Sequence, residues 1–185
     1  MALSRKKKKT VFDRVAWFGR VMMETGNADL TSSIIHSVET IQQLRPYSCT
    51  AHCLQMLVQF FGGWKMTVDQ AVDLMDCKPH GASLPEIVEV LDALKIKVQA
   101  KTIDNDHTLI KAAIRRGCVL IACDYSSHEH HHAVLVVGYN NDGFWVNDPL
   151  LGFLNHPTFR TFEMFDKSIN ECIAVRKPSK AVARK

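Results

Sequence analysis

One cysteine in this chain stands where a thiol could become a nucleophile. It is Cys49, in the stretch "QLRPYSCTAHCLQMLVQFFGG" from Gln43 to Gly63, at the mouth of an apolar helix. A helix start offers unpaired N–H groups and the positive end of the backbone dipole, and both favour the thiolate. The plainer role for such a residue is a buried structural cysteine, which needs neither the helix start nor a glutamine upstream. Attack of sulfur on a carbonyl would use both.

Such attack requires a base. Of nine histidines, His132 is set apart by heading the strand pattern "HAVLVVGY". A base also needs a group that accepts its other ring N–H and fixes the tautomer. Asp148 closes the next strand pattern, "GFWVND", and Pro149 breaks that strand at once. Strands joined by a tight hairpin are neighbours, so His132 and Asp148 fall at paired strand ends. The oxyanion formed by attack needs donors fixed in advance. The backbone N–H of Cys49 is one, and the amide of Gln43, pinned by the Arg45-Pro46 turn, is a second. Taken alone, Gln43 reads as an exposed helix-end residue. His131 is the rival base, because a register shifted by one residue would turn His132 away from the cleft.

The elements that must position these groups are legible as periodicities. Helical stripes run over Thr10 to Thr25 and over Leu30 to Leu44, the latter at Ile34, Ile35, Val38 and Ile41. The helix opened by Cys49 puts Leu54, Leu57, Val58 and Phe61 on one face and ends at Gly62-Gly63. Capping boxes at Thr67 with Gln70 and at Ser83 with Glu86 open two more helices. "HTLIKAAIRR" makes a further one, closed by Gly117. The period then shortens: "CVLIACD", "HAVLVVGY" and "GFWVND" read as strands, with "NNDG" as a hairpin turn. A short helix, "FEMFDKSI", and a last strand, "ECIAVRK", complete the chain. Helices first and an antiparallel sheet after them predict an α+β protein of two lobes, with a cleft between them.

Bulk properties narrow the classes. With 185 residues and 20.9 kDa there is room for one domain with a real core. The net charge of +4 sits mostly at the ends, in "RKKKK" and "RKPSKAVARK", so the body is near neutral and no nucleic-acid partner is expected. No apolar run reaches the length of a membrane span, and no signal peptide is read at the N-terminus. Six cysteines without repeated spacing then read as reduced thiols in a cytoplasm. "HEHHHA" would put His128, His130 and His132 on one strand face, but nothing completes a zinc site, so it reads as a polar loop entering a strand. No metal or cofactor is expected. Cys53 is read as core, with a redox partnership to Cys49 as its alternative. His52 is read as an exposed or hydrogen-bonded helix residue, and Trp17, Trp64 and Trp145 as core or lobe-interface aromatics.

Gln43, Cys49, the following Gly-ended helix, the segment "GASLPEIVEVLDALKIKV" and the distant "HAVLVVGYNNDGFWVNDPLLG" together resemble the bacteriocin-processing, double-glycine leader peptidases. These are papain-like cysteine peptidases of the two-lobed α+β fold. The resemblance spans about Gln43 to Val175. It implies a nucleophile at Cys49, a base at His132, an orienting Asp148 and an oxyanion-hole Gln43, with cleavage after a Gly-Gly pair. It departs at Thr50, where the family carries glycine, and that side chain could narrow the oxyanion hole. The expected organisation is a basic, helical extension over 1–42, a peptidase domain over 43–176 and a basic tail over 177–185. With no transporter in view, the preferred setting is a toxin or effector delivered into a target-cell cytoplasm and held in check by a cognate immunity protein. The alternatives are a stand-alone maturation peptidase for leader peptides, or a deamidase or acyltransferase using the same triad.

Overall fold

A computed structural model describes residues 33–77, 82–124 and 132–178. In chain order they form β1 (Ile34–Ile35), α1 (Cys49–Leu57), α2 (Val68–Leu74), α3 (Leu84–Ala93), β2 (Gln99–Asp104), α4 (His107–Arg115), β3 (Val119–Asp124), β4 (His132–Tyr139), β5 (Gly143–Asn147), β6 (Thr158–Thr161), α5 (Phe162–Ser168) and β7 (Ile169–Arg176). All strand pairs are antiparallel, in the order β2-β7-β3-β4-β5-β6, with β1 also on β4.

The sheet is covered on both faces, and its central strand shows why. Every residue of β4 is buried. Its alternate side chains divide between two cores, as a strand's period of two requires. Ala133, Leu135 and Val137 join α1, α2 and α3 in one core. Val134 and Val136, and past a register shift between Val136 and Gly138 also Tyr139, join Ile110 and Ile114 of α4 and Phe165 of α5 in the other. The α+β class is as expected, with one refinement: α4 and α5 lie on the far face of the sheet rather than in a helical lobe.

α1 is the central helix, with all nine of its residues buried. A π-helical turn, Val58–Gly62, extends it to Gly63, whose φ of +76° ends the run. The Thr67 capping box is formed in full, and the Glu86 carboxylate takes the Ser83 N–H at 2.7 Å. The "NNDG" hairpin is closed by Asn140 Oδ1, which accepts from the N–H groups of Asp142 and Gly143.

The helix expected over Leu30 to Leu44 is not formed over residues 33–44. Ile34 and Ile35 pair with Tyr139 and Gly138 of β4, and the chain then runs extended. The β4–β5 register shifts between Val136 and Gly138, and here the His36 N–H reaches the Val137 carbonyl at 2.8 Å. A Cβ on Gly138 would lie 2.5 Å from the Ile34 carbonyl oxygen, so glycine is what lets β1 approach. Thr40 and the Val38 carbonyl are fastened to the buried amide of Asn147 at 2.9 Å each. The apolar spacing is real, but tertiary hydrogen bonds satisfy it in extended form. Trp64 also departs from expectation, being 42% exposed. Trp145 packs on Phe159. Trp17 and the helix expected over Thr10 to Thr25 lie outside the described residues.

Candidate active site

Four short pieces of chain meet at the site: the turn before α1, the start of α1, the start of β4 and the turn after β5. Ser48 is the N-cap of α1 but turns its hydroxyl back to the Arg45 carbonyl, at 2.9 Å, instead of capping. No hydroxyl therefore caps the first turn of α1, whose Thr50 N–H goes to the Cys49 sulfur and Ala51 N–H to that of Cys77. Cys49 is buried, with 6% of its surface exposed. Its sulfur meets the His132 ring, the Ala133 N–H and the Thr50 N–H.

His132 opens β4. Its Nε2 is 2.6 Å from Asp148 Oδ1, which leaves Nδ1 for the sulfur. Asp148 caps a 3-10 turn, Pro149–Leu154, and its Oδ1 also accepts the Leu150 N–H at 2.9 Å. Cys49, His132 and Asp148 are thus brought into one line of hydrogen bonds. His128, His130 and His131 lie outside the described residues. Among the described residues, no group of three or more metal-ligating side chains converges.

The electrostatics follow from this line. Burial alone would push the Cys49 thiol up, but the His132 hydrogen bond, the two N–H donors and the imidazolium charge together bring it below the usual thiol range. Burial likewise opposes the imidazolium of His132. The Asp148 and Cys49 hydrogen bonds and the charges behind them outweigh it and raise His132 to about 9. Asp148 resists its own burial through His132, the Leu150 N–H and Arg160, and stays below the ordinary carboxylate range. The shifts of Cys49 and His132 both favour a thiolate beside an imidazolium.

Gln43 is placed beside this line rather than in it. Its backbone N–H donates to the Pro149 carbonyl at 2.7 Å, which ties it to the residue after Asp148. A Cβ on Gly152 would fall 2.2 Å from Gln42 Cα, so glycine there lets the two segments lie together. The side-chain Nε2 donates to the Arg45 carbonyl at 2.5 Å, the pinning that the Arg45-Pro46 turn suggests. Its Oε1 is buried with no hydrogen-bond partner among the described residues.

A model of the Peptidase C39 family matches residues 37–180. The chain belongs to the Peptidase C39 family. It is therefore a cysteine peptidase, a hydrolase of the papain-like kind. Solved C39 structures have the same fold. The peptidase domain of Streptococcus ComA, a bifunctional ABC transporter involved in quorum sensing, is 16% identical with a TM-score of 0.61, over 76% of this chain and 99% of that one. A C39-like peptidase from Bacillus anthracis is 14% identical with a TM-score of 0.58, over 80% and 100%. A double-glycine motif protease from an AMS/PCAT transporter, in complex with its leader peptide, is 15% identical with a TM-score of 0.55, over 80% and 94%. No curated protein matches the chain.

Against this C39 frame, two details of the chain stand out. Thr50, where the family carries glycine, is buried at 2% exposed, and its hydroxyl lies 3.6 Å from Cys77 Sγ. Arg160, on β6, goes unnoticed in the sequence. Its Nη2 donates to Asp148 Oδ2 at 3.1 Å and its Nη1 to Asp124 Oδ2 at 2.5 Å, so one guanidinium clamps two buried carboxylates. The "TFRT" stretch carries no signal of this, because both partners are remote in sequence. His52 is hydrogen-bonded rather than exposed, with Nδ1 2.7 Å from the Ser48 carbonyl oxygen, and burial holds it below its usual value.

Proposed function

We propose that the chain hydrolyses a peptide bond following a Gly-Gly pair in a protein or peptide substrate, with Cys49 as nucleophile and His132 as acid and base. The observation that carries this reading is the Cys49–His132–Asp148 line at the start of a buried helix. Cys49 sulfur attacks the scissile carbonyl, and the oxyanion is held by the Cys49 N–H and the remaining amide hydrogen of Gln43. His132, protonated at rest, gives its proton to the leaving amine and a thioester forms. His132, now neutral, takes a proton from water, the hydroxide attacks the thioester, and the thiolate is restored. Asp148, held ionised by His132, the Leu150 N–H and Arg160, keeps the ring oriented through both steps. A leader peptide fits the substrate class, because one fold relative is solved with such a peptide bound.

The test is mass spectrometry of the products from peptides that carry Gly-Gly, Gly-Ala or Ala-Gly at the expected site. A cut directly after Gly-Gly, lost with Ala at either position and with Cys49→Ala, supports the proposal. Release of ammonia without a cut would mean a deamidase, and transfer to an added amine would mean an acyltransferase. The effector setting makes a separate prediction: expression in a cytoplasm arrests growth, Cys49→Ala relieves the arrest, and a cognate immunity protein does likewise. A cell indifferent to the active chain would favour leader maturation.

A further inference from the structure

Two further sulfurs lie around Cys49, and peptide hydrolysis uses neither. Cys53 sits one helical turn along α1, fully buried; its burial first, then the charges of Cys49 and Asp148, push its thiol well up. Cys77 is partly exposed, just past the end of α2, where its N–H is held by the Val72 carbonyl at 3.1 Å. Its Sγ lies 3.6 Å from the Thr50 hydroxyl and takes the Ala51 N–H. Cys49 Sγ takes the Thr50 N–H. The two sulfurs thus occupy successive backbone donors of one helical turn, the turn that Ser48 leaves uncapped. Donors in a helix's first turn point the same way along the axis, so groups that cap adjacent ones are neighbours.

Geometry also chooses between the two candidate partners. Residues one turn apart on a helix keep their Cβ atoms about 5–6 Å apart, whereas a disulfide needs about 3.5–4.5 Å. Cys53 cannot bridge to Cys49 without breaking α1. Cys77 comes from another element and is under no such restriction.

We propose that Cys77 is a resolving thiol for Cys49, so that a peroxide converts the pair to a reversible disulfide. The Cys49 thiolate attacks the peroxide, the O–O bond breaks, and sulfur keeps one oxygen as sulfenic acid while the other leaves as water or an alcohol. The Cys77 sulfur then attacks the sulfenic sulfur. The S–S bond forms, the S–O bond breaks, and the hydroxide leaves with the Cys77 proton as water. A dithiol returns both residues to thiols. Without a partner, Cys49 would continue to sulfinic acid, which reductants do not reverse. At rest, burial keeps Cys77 as the neutral thiol, so it does not repel the Cys49 thiolate. The proposal rests on Cys49 being a reactive thiolate but not on which peptide is cut.

The experiment treats the reduced full-length chain with hydrogen peroxide, alkylates and digests it, and reads the state of each sulfur by mass spectrometry. A peptide pair joined through Cys49 and Cys77, returned to two alkylatable thiols by dithiothreitol, is the expected result. Cys77→Ser keeps a hydroxyl for Thr50 but lacks the sulfur. In that variant Cys49 should reach sulfinic acid, and recovery of hydrolysis with dithiothreitol should be lost. Sulfinic acid at Cys49 with Cys77 still free, or a bridge to Cys53, would overturn the resolving role and leave the reactive thiolate intact. Cys49 oxidised no faster than Cys118 would sink both.

Discussion

The described residues hold two histidine–aspartate pairs of nearly equal length in opposite surroundings. His132 Nε2 lies 2.6 Å from Asp148 Oδ1, with side chains 11% and 7% exposed. His107 Nε2 lies 2.7 Å from Asp166 Oδ1, with side chains 30% and 50% exposed. Beyond the first ring stands a sulfur at a helix start. Beyond the second stands a phenylalanine, Phe162, stacked at 4.4 Å. The distance between imidazole and carboxylate therefore says little about chemistry. What separates the pairs is the dry environment, which strengthens the charges, and a third group for the imidazole to serve.

The largest effect expected from breaking the first pair is the loss of hydrolysis itself. Cys49→Ala and His132→Ala should each lower kcat about 10⁴-fold or more, since members of such a unit fail together. Stopped assays on either variant that retain more than a small fraction of the rate would remove the thiolate–imidazolium account. Gln43→Ala comes next. Loss of one oxyanion donor costs about 10²–10³-fold in kcat, and because the donor acts on the transition state, KM should barely move. A rise in KM at constant kcat would assign Gln43 to substrate binding instead.

The pH profile sharpens the contrast further. The active form needs Cys49 deprotonated and His132 protonated, so the rate should climb as pH rises through the lowered Cys49 value. It should fall as pH rises through about 9, where the imidazolium is lost. Since the two groups interact, the limbs belong to the pair. Asp148→Asn removes the anion that holds the imidazolium, and the alkaline limb should move to lower pH. An unmoved alkaline limb would mean that another group sets it.

Arg160 extends the dry side of the comparison. With its side chain 13% exposed, between carboxylates 3% and 7% exposed, it cannot be removed without taking a cation from two buried anions. Arg160→Met should cost about 3–5 kcal/mol, the range for breaking a buried pair from one side. Urea unfolding would measure it. Adding Asp124→Asn to that variant should return part of the loss, since it deletes one of the two buried charges that have lost the guanidinium. A double variant no more stable than Arg160→Met would mean that Asp124 is not the charge Arg160 neutralises.

The parts of this site that were legible in sequence are those fixed by local boundaries. Cys49 marks a helix start because Arg45-Pro46 forces the preceding chain extended. His132 and Asp148 mark strand ends because a hairpin turn and Pro149 set the frame around them. The parts that were not legible depend on contacts between remote segments. β2 is a polar edge strand whose pairing with β7 is long-range, and "QAKTID" lacks the apolar alternation that would announce it. Ile34, Ile35, Val38 and Ile41 suit a helix by spacing, yet each extended residue meets a different surface. Arg160 becomes meaningful only once β6 lies on β5 and carries it to Asp148. Site chemistry was readable where the chain punctuates itself, and hidden where only the sheet brings charges together.

The smallest effect should come from the exposed pair, and it is the control on all the others. His107 leads α4 and Asp166 lies in α5, so their hydrogen bond clips two helices on the far face of the sheet, with Asn105 Nδ2 also reaching Asp166 at 3.2 Å. Solvent screens such a pair, and ion pairs of this exposure contribute about 0–1 kcal/mol. His107→Ala also removes the ring stacked on Phe162, and Phe162 keeps Lys111 at 4.7 Å and Phe144 at 5.3 Å as neighbours. Unfolding should therefore shift only slightly, while kcat, KM and both limbs of the pH profile stay where they are. A displaced alkaline limb in this variant would show that the rate reports general weakening of the sheet, and the assignment of that limb to His132 would fall with it.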